Sequence, residues 1–564
     1  MFRTRFISAC IVLSAALLLW RLYSVQVVFG SEYAERAAGQ YVSASSDILS
    51  RGAIFLTTKA GEKVAGARVK QGHLLAISPD RVEGGESAFE KINSVTPVNK
   101  ESFLAKVGRK GDPYEEISRR LEKETAEKIL DLNLAGVYIY PDKWRFYPGQ
   151  SLAAHTLGIL ARDEEDKLVG AYGLERYYED VLAKDNDSIY VNFFAEIFSN
   201  ITRLVRADEE RVGDIITTIE PVVQTTFEKE LQIIHNTYNS RITGGVIISP
   251  RTGEIYALSA LPTFNSNDFK NADASTLGNP IVEDVYEFGS IVKPLTMAAG
   301  IDSGKVTAAS TYIDKGFLSV DGLTISNYDG KGRGQVNMQD VLSQSLNTGV
   351  AYVVQTMGND SFGNYIKAFG FGERTGIDLP GESRGLISNL DSTRDIEYIT
   401  ASFGQGIATT PIAVTRALSA LANGGVLPNP HLVSRIDYDF GPDKKVGKQA
   451  GRQVFMKETA DEVTRMLVKV VDEALLHGEV ALPRYQIAAK TGTAQIAKQE
   501  GGGYYDDKFL HSFFGYFPAY EPEFLIFLYT VEPQGVEYAS NTLTKPFMTM
   551  TKFLINYYEI PPDR

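Results

Sequence analysis

The chain has 564 residues and a formal net charge of -13, from 57 Lys and Arg against 70 Asp and Glu. It is too long for one ordinary core and too acidic to offer a nucleic-acid surface. Its single cysteine, Cys10, excludes a disulfide framework, thiol chemistry and cysteine-based metal sites. The histidines His73, His155, His235, His431, His477 and His511 never fall in a paired ligand spacing, so neither metal nor cofactor is expected.

In chain order, Phe6 to Phe29 is one mostly apolar run behind Arg3 and Arg5, long enough to span a bilayer. The basic end should stay in the cytoplasm, leaving everything after residue 30 outside; the run continues past Arg21 without a small-x-small cleavage site, which favours an uncleaved single-pass anchor. Residues 31–212 are mixed, charged and glycine-punctuated, and read as a spacer or docking domain. Within them Asp112-Pro113 signals a helix running to about Leu130, with Ile117, Leu121 and Ile129 on its buried side. Asp163 to Asp166 reads as a solvated loop.

Residues 213–564 carry sharper patterns. Val223, Phe227, Leu231, Ile234 and Tyr238 mark one face of a helix. Gly245 to Ser259 reads as a hairpin about Pro-Arg-Thr-Gly. Pro411 to Asn423 reads as a helix, and Tyr485 to Gln495, Ser512 to Phe517 and Phe524 to Val531 as strands. Helix, hairpin, helical block and returning strands describe an α+β arrangement, an antiparallel sheet with helices on its faces.

Three stretches ask for chemistry. In Tyr286 to Gly300 the apolar spacing of Ile291, Leu295 and Ala299 predicts a helix from about Ser290, which puts Ser290 and Lys293 one turn apart on a shared face. Serine is a weak nucleophile until a neighbouring base takes its proton, and lysine becomes that base only where burial or nearby cations lower its pKa. Ser343-Gln-Ser345-Leu-Asn347 can present a hydroxyl and a carboxamide side by side. In Ala488 to Gln495, Lys490 offers a charge, Thr491 and Thr493 offer hydroxyls, and Gly492 is expected to clear room for a ligand backbone. Taken singly, each stretch also suits an ordinary capped helix, a capped turn and an edge strand.

Together and in this order, Ser-x-x-Lys, Ser-x-Asn and Lys-Thr-Gly resemble the penicillin-binding proteins and serine β-lactamases. Asn279 to Thr296, Phe369 to Glu382, Ser402 to Ile407 and Asn423-Gly-Gly425 are similar to the transpeptidase domain of class B penicillin-binding proteins. Arg51 to Ile54, Arg145 to Gly149, Ala154 to Gly158 and Gly173-Leu-Glu175 are similar to that family's pedestal, or dimerisation, domain. The expected division is thus an anchor over 1–30, a pedestal over 31–212 and a transpeptidase domain over 213–564.

The resemblance implies a D,D-transpeptidase acting on peptidoglycan stem peptides and acylated by β-lactams. Ser290 would be the nucleophile and Lys293 would accept its proton. Ser345 would relay a proton to the leaving group, Asn347 would hold the substrate amide and Lys490 would keep the site cationic. The backbone amides of Ser290 and Thr493 would form the oxyanion hole, and Thr491, Gly492 and Thr493 would bind the substrate strand and its carboxylate.

The family usually carries Pro-Gly-Ser-Thr before the lysine, where this chain has Phe288-Gly-Ser290-Ile291-Val292, and Ser-Ser-Asn where this chain has Ser-Leu-Asn. Rival readings are a carboxypeptidase, a β-lactamase, a β-lactam sensor and a non-catalytic division scaffold. Phe369 to Glu382 and His511 to Pro518 look more like the septal, division-specific branch than the elongation branch. No glycosyltransferase domain is apparent, which implies a polytopic membrane glycosyltransferase as partner.

Overall fold

The computed structural model describes residues 51–183, 211–447, 450–498, 500 and 502–564, with six scattered residues between 14 and 23. The expected membrane span therefore lies almost entirely outside the described residues. Among those described, no helix is long and apolar enough to cross a membrane.

Two compact units form: the smaller is described chiefly over 68–146, and the larger over 52–67, 147–183 and the described residues from 211 onward. Strand β1 (Ile54–Thr57) and the first residues of β2 (Lys63–Ile77) pair antiparallel in the larger unit. In the smaller unit, the rest of β2 lies between two antiparallel partners, with helices α1 (Gly85–Val95) and α2 (Lys100–Val107) following it in the chain. The partners are β3 (Glu115–Leu121) and β4 (Val137–Phe146), with α3 (Lys123–Asp131) between them in sequence. Leu75, Ile77, Ile92, Phe103, Leu121 and Ile129 form its core.

The helix expected from Asp112 to Leu130 is thus a strand followed by a shorter helix. Ile117 and Leu121 are four apart, which suits both a helical face and strand alternation. Pairing with β2 decides for the strand, and Arg120, at φ 62 with its N–H donating to Asp142, sits at the irregularity between the Leu75–Ser118 and His73–Leu121 pairs.

In the larger unit, β5 (Gly213–Thr217) leads into α4 (Pro221–Tyr238), started by the Glu220 carboxylate accepting from the Val223 N–H. The hairpin appears as β6 (Ile242–Ile248) and β7 (Ile255–Leu261). A helical block follows: α5 (Lys293–Asp302), the strands β8 (Thr311–Asp314) and β9 (Gly334–Asn337), α6 (Asn347–Met357) and α7 (Pro411–Leu421). Next come β10 (Val433–Tyr438), antiparallel to β5, and α8 (Lys457–Lys469). The chain closes with β11 (Ala488–Ala497), β12 (Tyr504–Phe517), β13 (Phe524–Val531) and α9 (Ala539–Tyr558).

The main sheet has the order β11-β12-β13-β6-β7, antiparallel throughout. Its alternating side chains feed two cores. Ile247, Phe513, Ile526 and Leu528 meet Phe227 and Leu231 of α4 and Phe547 and Leu554 of α9. Val246, Phe514, Tyr516 and Phe527 join the core of the helical block, with Leu295, Val350 and Leu418. Strand β11, which carries Lys490, lies at the sheet edge.

Candidate active site

Ser290 sits on a 3-10 turn, Gly289–Val292, and the α-helix begins only at Lys293. The Lys293 N–H donates to Ser290 O, three residues back, while Pro294 has no N–H with which to make the α-helical bond to that carbonyl. A 3-10 turn has three residues per turn, so Ser290 and Lys293 are eclipsed rather than merely neighbouring.

This turn is clamped on both sides. Gly289 has φ +65, its N–H donates to Gly404 O (3.1 Å), and a Cβ there would stand 2.8 Å from Thr493 O. A Cβ on Gly404 would come within 2.3 Å of Gly289 O. Gly492 serves the same approach: a Cβ there would meet Ser512 Oγ at 2.3 Å and Phe288 O at 2.6 Å. The space it vacates is filled by the nucleophile turn, not left open for a ligand backbone as the sequence suggested. Ser512 Oγ donates to Phe288 O (2.8 Å), pinning the turn to β12. Sequence reading gave no role to Ser512, to Gly404 or to the half-buried Glu287, which accepts from Gly406 N (3.1 Å) and Tyr504 Oη (2.9 Å) beside the turn.

The two lysines converge on one hydroxyl. Lys293 Nζ donates to Ser345 O (2.5 Å) and lies 3.2 Å from Ser345 Oγ, while Lys490 Nζ donates to the same Oγ (3.0 Å) and to Thr491 O (3.0 Å). Ser345 reaches this position through a left-handed backbone, φ 56. Lys293 is 0% exposed and Lys490 4%. Burial, and then the charge of Lys490, hold the Lys293 amine well below the usual lysine range; burial lowers Lys490 to about 7. Both causes named as conditions for a lysine base are therefore met. Among the described residues no hydrogen bond joins Ser290 Oγ to Lys293 Nζ, and the amine is turned to Ser345.

Asn347 opens α6, its Nδ2 donating to Ser326 O (2.8 Å). Thr493 Oγ1 accepts from Ala539 N (3.1 Å) at the start of α9, and the facing residue His511 donates its Nε2–H to Glu537 O (3.0 Å) just before α9 and has Nδ1 3.0 Å from Thr542 Oγ1 within it. Burial keeps His511 near pKa 4, so it is a neutral brace. Tyr328, beyond Ser326, and Tyr538, before Ala539, touch edge to face with ring centroids 6.2 Å apart. The sequence-selected residues Ser290, Lys293, Ser345 and Lys490 thus gather around one hydroxyl and one turn, with Asn347 and Thr491 to Thr493 on the adjoining elements.

The family model for the penicillin-binding protein transpeptidase domain matches residues 243–551, and that for the penicillin-binding protein dimerisation domain matches residues 50–216. The chain belongs to the class B penicillin-binding proteins. Stage V sporulation protein D of Bacillus subtilis is 30% identical over 550 residues, covering 94% of this chain and 81% of that protein. The peptidoglycan D,D-transpeptidase MrdA of Acinetobacter baumannii is 32% identical over 503 residues, 80% of this chain and 73% of that protein. Among solved structures, penicillin-binding protein 2X of Streptococcus thermophilus shares the fold of this penicillin-binding protein with a TM-score of 0.72 at 20% identity, covering 91% of this chain and 80% of that one. Penicillin-binding protein 3 of Mycobacterium tuberculosis bound to ampicillin gives 0.68 at 22% identity, covering 91% and 96%.

Proposed function

We propose that this class B penicillin-binding protein crosslinks peptidoglycan stem peptides by D,D-transpeptidation through an ester on Ser290. The observation that carries this reading is the buried Lys293 amine, depressed in pKa and eclipsed with Ser290, with a second lysine sharing the Ser345 hydroxyl. Neutral Lys293 takes the proton of Ser290 as its Oγ bonds to the penultimate D-Ala carbonyl carbon. The oxyanion rests on the backbone N–H groups of Ser290 and Thr493. The tetrahedral adduct collapses by breaking the bond to the terminal D-Ala nitrogen, which receives a proton through Ser345. An amine of a second stem peptide then attacks the ester and loses its proton to the same relay, and the adduct collapses by breaking the bond to Ser290 Oγ, which takes up a proton from Lys293.

Asn347 holds the substrate amide, and Thr491 and Thr493 bind the terminal carboxylate near Lys490. The edge position of β11 suits a peptide laid along it as an added strand. A β-lactam follows the first half of this course and stops at the ester. Outside the membrane there is no ATP, so an enzyme that keeps the energy of one peptide bond in an ester is suited to the location read from the N-terminal apolar run. We read the chain as a single-pass protein of the bacterial cytoplasmic membrane. Its pedestal and anchor would meet a polytopic glycosyltransferase and other division proteins, and its work would be septal.

Intact mass measurement after benzylpenicillin treatment tests the chemistry: one covalent adduct mapping to position 290 is expected, and none on Ser290→Ala. An adduct elsewhere, or none on the parent, sinks the reading. Depletion in cells tests the branch, with filaments expected and rounded cells contradicting the septal assignment.

A further inference from the structure

Asn347 is held in place by residues that the catalytic motifs do not contain. Its carboxamide donates to Ser326 O (2.8 Å). The next residue along, Thr348, donates its N–H to Asn327 Oδ1 (3.2 Å), and its hydroxyl lies 2.8 Å from Asp314 Oδ1 and 3.0 Å from Tyr312 Oη. Asn327 Nδ2 stands 3.1 Å from both oxygens of Asp314, which also accept from Gly316 N (2.9 Å) and Arg333 N (3.0 Å). Asp314, Asn327 and Thr348 are 2%, 3% and 6% exposed. A carboxylate is costly to bury unless its oxygens are filled by donors, and here they are filled from four residues.

Placement distinguishes this cluster from an ordinary brace. Asn327 follows the residue whose carbonyl holds the Asn347 side chain, and Thr348 follows Asn347 itself. One carboxylate therefore fixes both the backbone that carries the carboxamide and the acceptor that orients it. Several apolar side chains of the stretch around it lie outside the core: Ile313, Phe317, Leu323 and Tyr328 are all more than half exposed. Tyr312 and Val336 tie it to the core of the helical block, and the polar contacts to Asp314 fix the part of it that carries Ser326 and Asn327.

We propose that Asp314 is a positioning residue for acyl transfer, setting the Asn347 carboxamide through Asn327 and Thr348. The proposal rests on the reading of Asn347 as the group that holds the substrate amide. The test is the second-order rate of acylation of the full chain by a fluorescent penicillin, with the melting temperature of each variant recorded alongside. Thr348→Val, which removes the hydroxyl at nearly constant volume, should slow acylation about tenfold, and Thr348→Ser should restore it to within about twofold of the parent. Asp314→Asn should cost at least as much as Thr348→Val alone but less than about twofold when added to Asn347→Ala, because residues that act through one another are not additive.

Penalties that multiply in the Asp314→Asn, Asn347→Ala pair overturn the proposal, as does Thr348→Val acylating at the parent rate or Thr348→Ser failing as Val does. Should Asp314→Asn not fold, the Thr348 pair decides alone. If Asn347→Ala itself acylates at the parent rate, the reading of Asn347 falls and takes this proposal with it. An intact Asn347 effect with additive Asp314 loss removes only the proposal.

Discussion

The two compact units differ in how they hold their cationic side chains. In the smaller one, charged side chains are matched with opposite charge: Arg109 with the buried Glu115, Arg119 with Glu116 and Lys70 with Glu122, each at 2.5 Å. In the larger one, Lys293 and Lys490 are buried with no carboxylate in ion-pair contact among the described residues. An uncompensated buried amine costs several kcal/mol, roughly what a whole small core can supply in net stability. Only the unit built on two extensive apolar cores can carry such a cost, and it is there that a neutral lysine becomes available as a base.

Lys293→Met should separate activity from stability most sharply. Acylation by fluorescent penicillin should fall by about 10²–10⁴-fold, the usual contribution of a positioned general base. Calorimetry should show a higher melting temperature, since the buried amine is gone. A lower melting temperature would mean that the amine is compensated after all, and the contrast between the units would fail.

Phe103→Ala addresses the smaller unit. Phe103 is 1% exposed, and its truncation should cost about 3–5 kcal/mol by the usual cavity and transfer cost, read by denaturant unfolding. Ser290 labelling at 25 °C should persist.

The pH dependence concerns Lys490, held at about 7 in the fold against an ordinary 10.5. Between those values the unfolded chain binds more protons than the folded one, so stability rises with pH across that window. The stability gained by Lys490→Met should therefore be greatest below pH 7 and fade toward pH 10.5. Parent acylation should decline above about pH 7 as the ammonium is lost. A gain independent of pH would show that Lys490 titrates normally. The smallest effect is expected of Lys123→Ala, whose exposed pair with Glu127 spans 3.8 Å: about 0.3–0.5 kcal/mol by chemical denaturation, with acylation unchanged.

Much of the sheet was readable because local pattern and final environment agree. Strand β13 begins and ends at the predicted Phe524 and Val531, since every residue in it is buried and the run is apolar but for Thr530. The hairpin of β6 and β7 followed from its Pro-Arg-Thr-Gly turn. Strand β3 was read as helix because four-residue spacing fits two periods, and only its partner β2 resolves them. Helix α9 was not read at all: its Pro546 interrupts the pattern, and its buried face answers to β12, far away in sequence. Ser290, Lys293, Ser345, Asn347 and Lys490 were selected by motif order. Asp314, Asn327, Gly404 and Ser512 were not, because each acts through a contact made only once the chain has folded.

The glycine clamp has a consequence for heredity. At Gly289, Gly404 and Gly492 any side chain would collide with backbone or with Ser512 within 2.8 Å, so the walls closest to the ester are closed to mutation. A lineage under antibiotic selection must instead vary the rim, where Tyr328 and Tyr538 remain 61% and 38% exposed and a new side chain has somewhere to go.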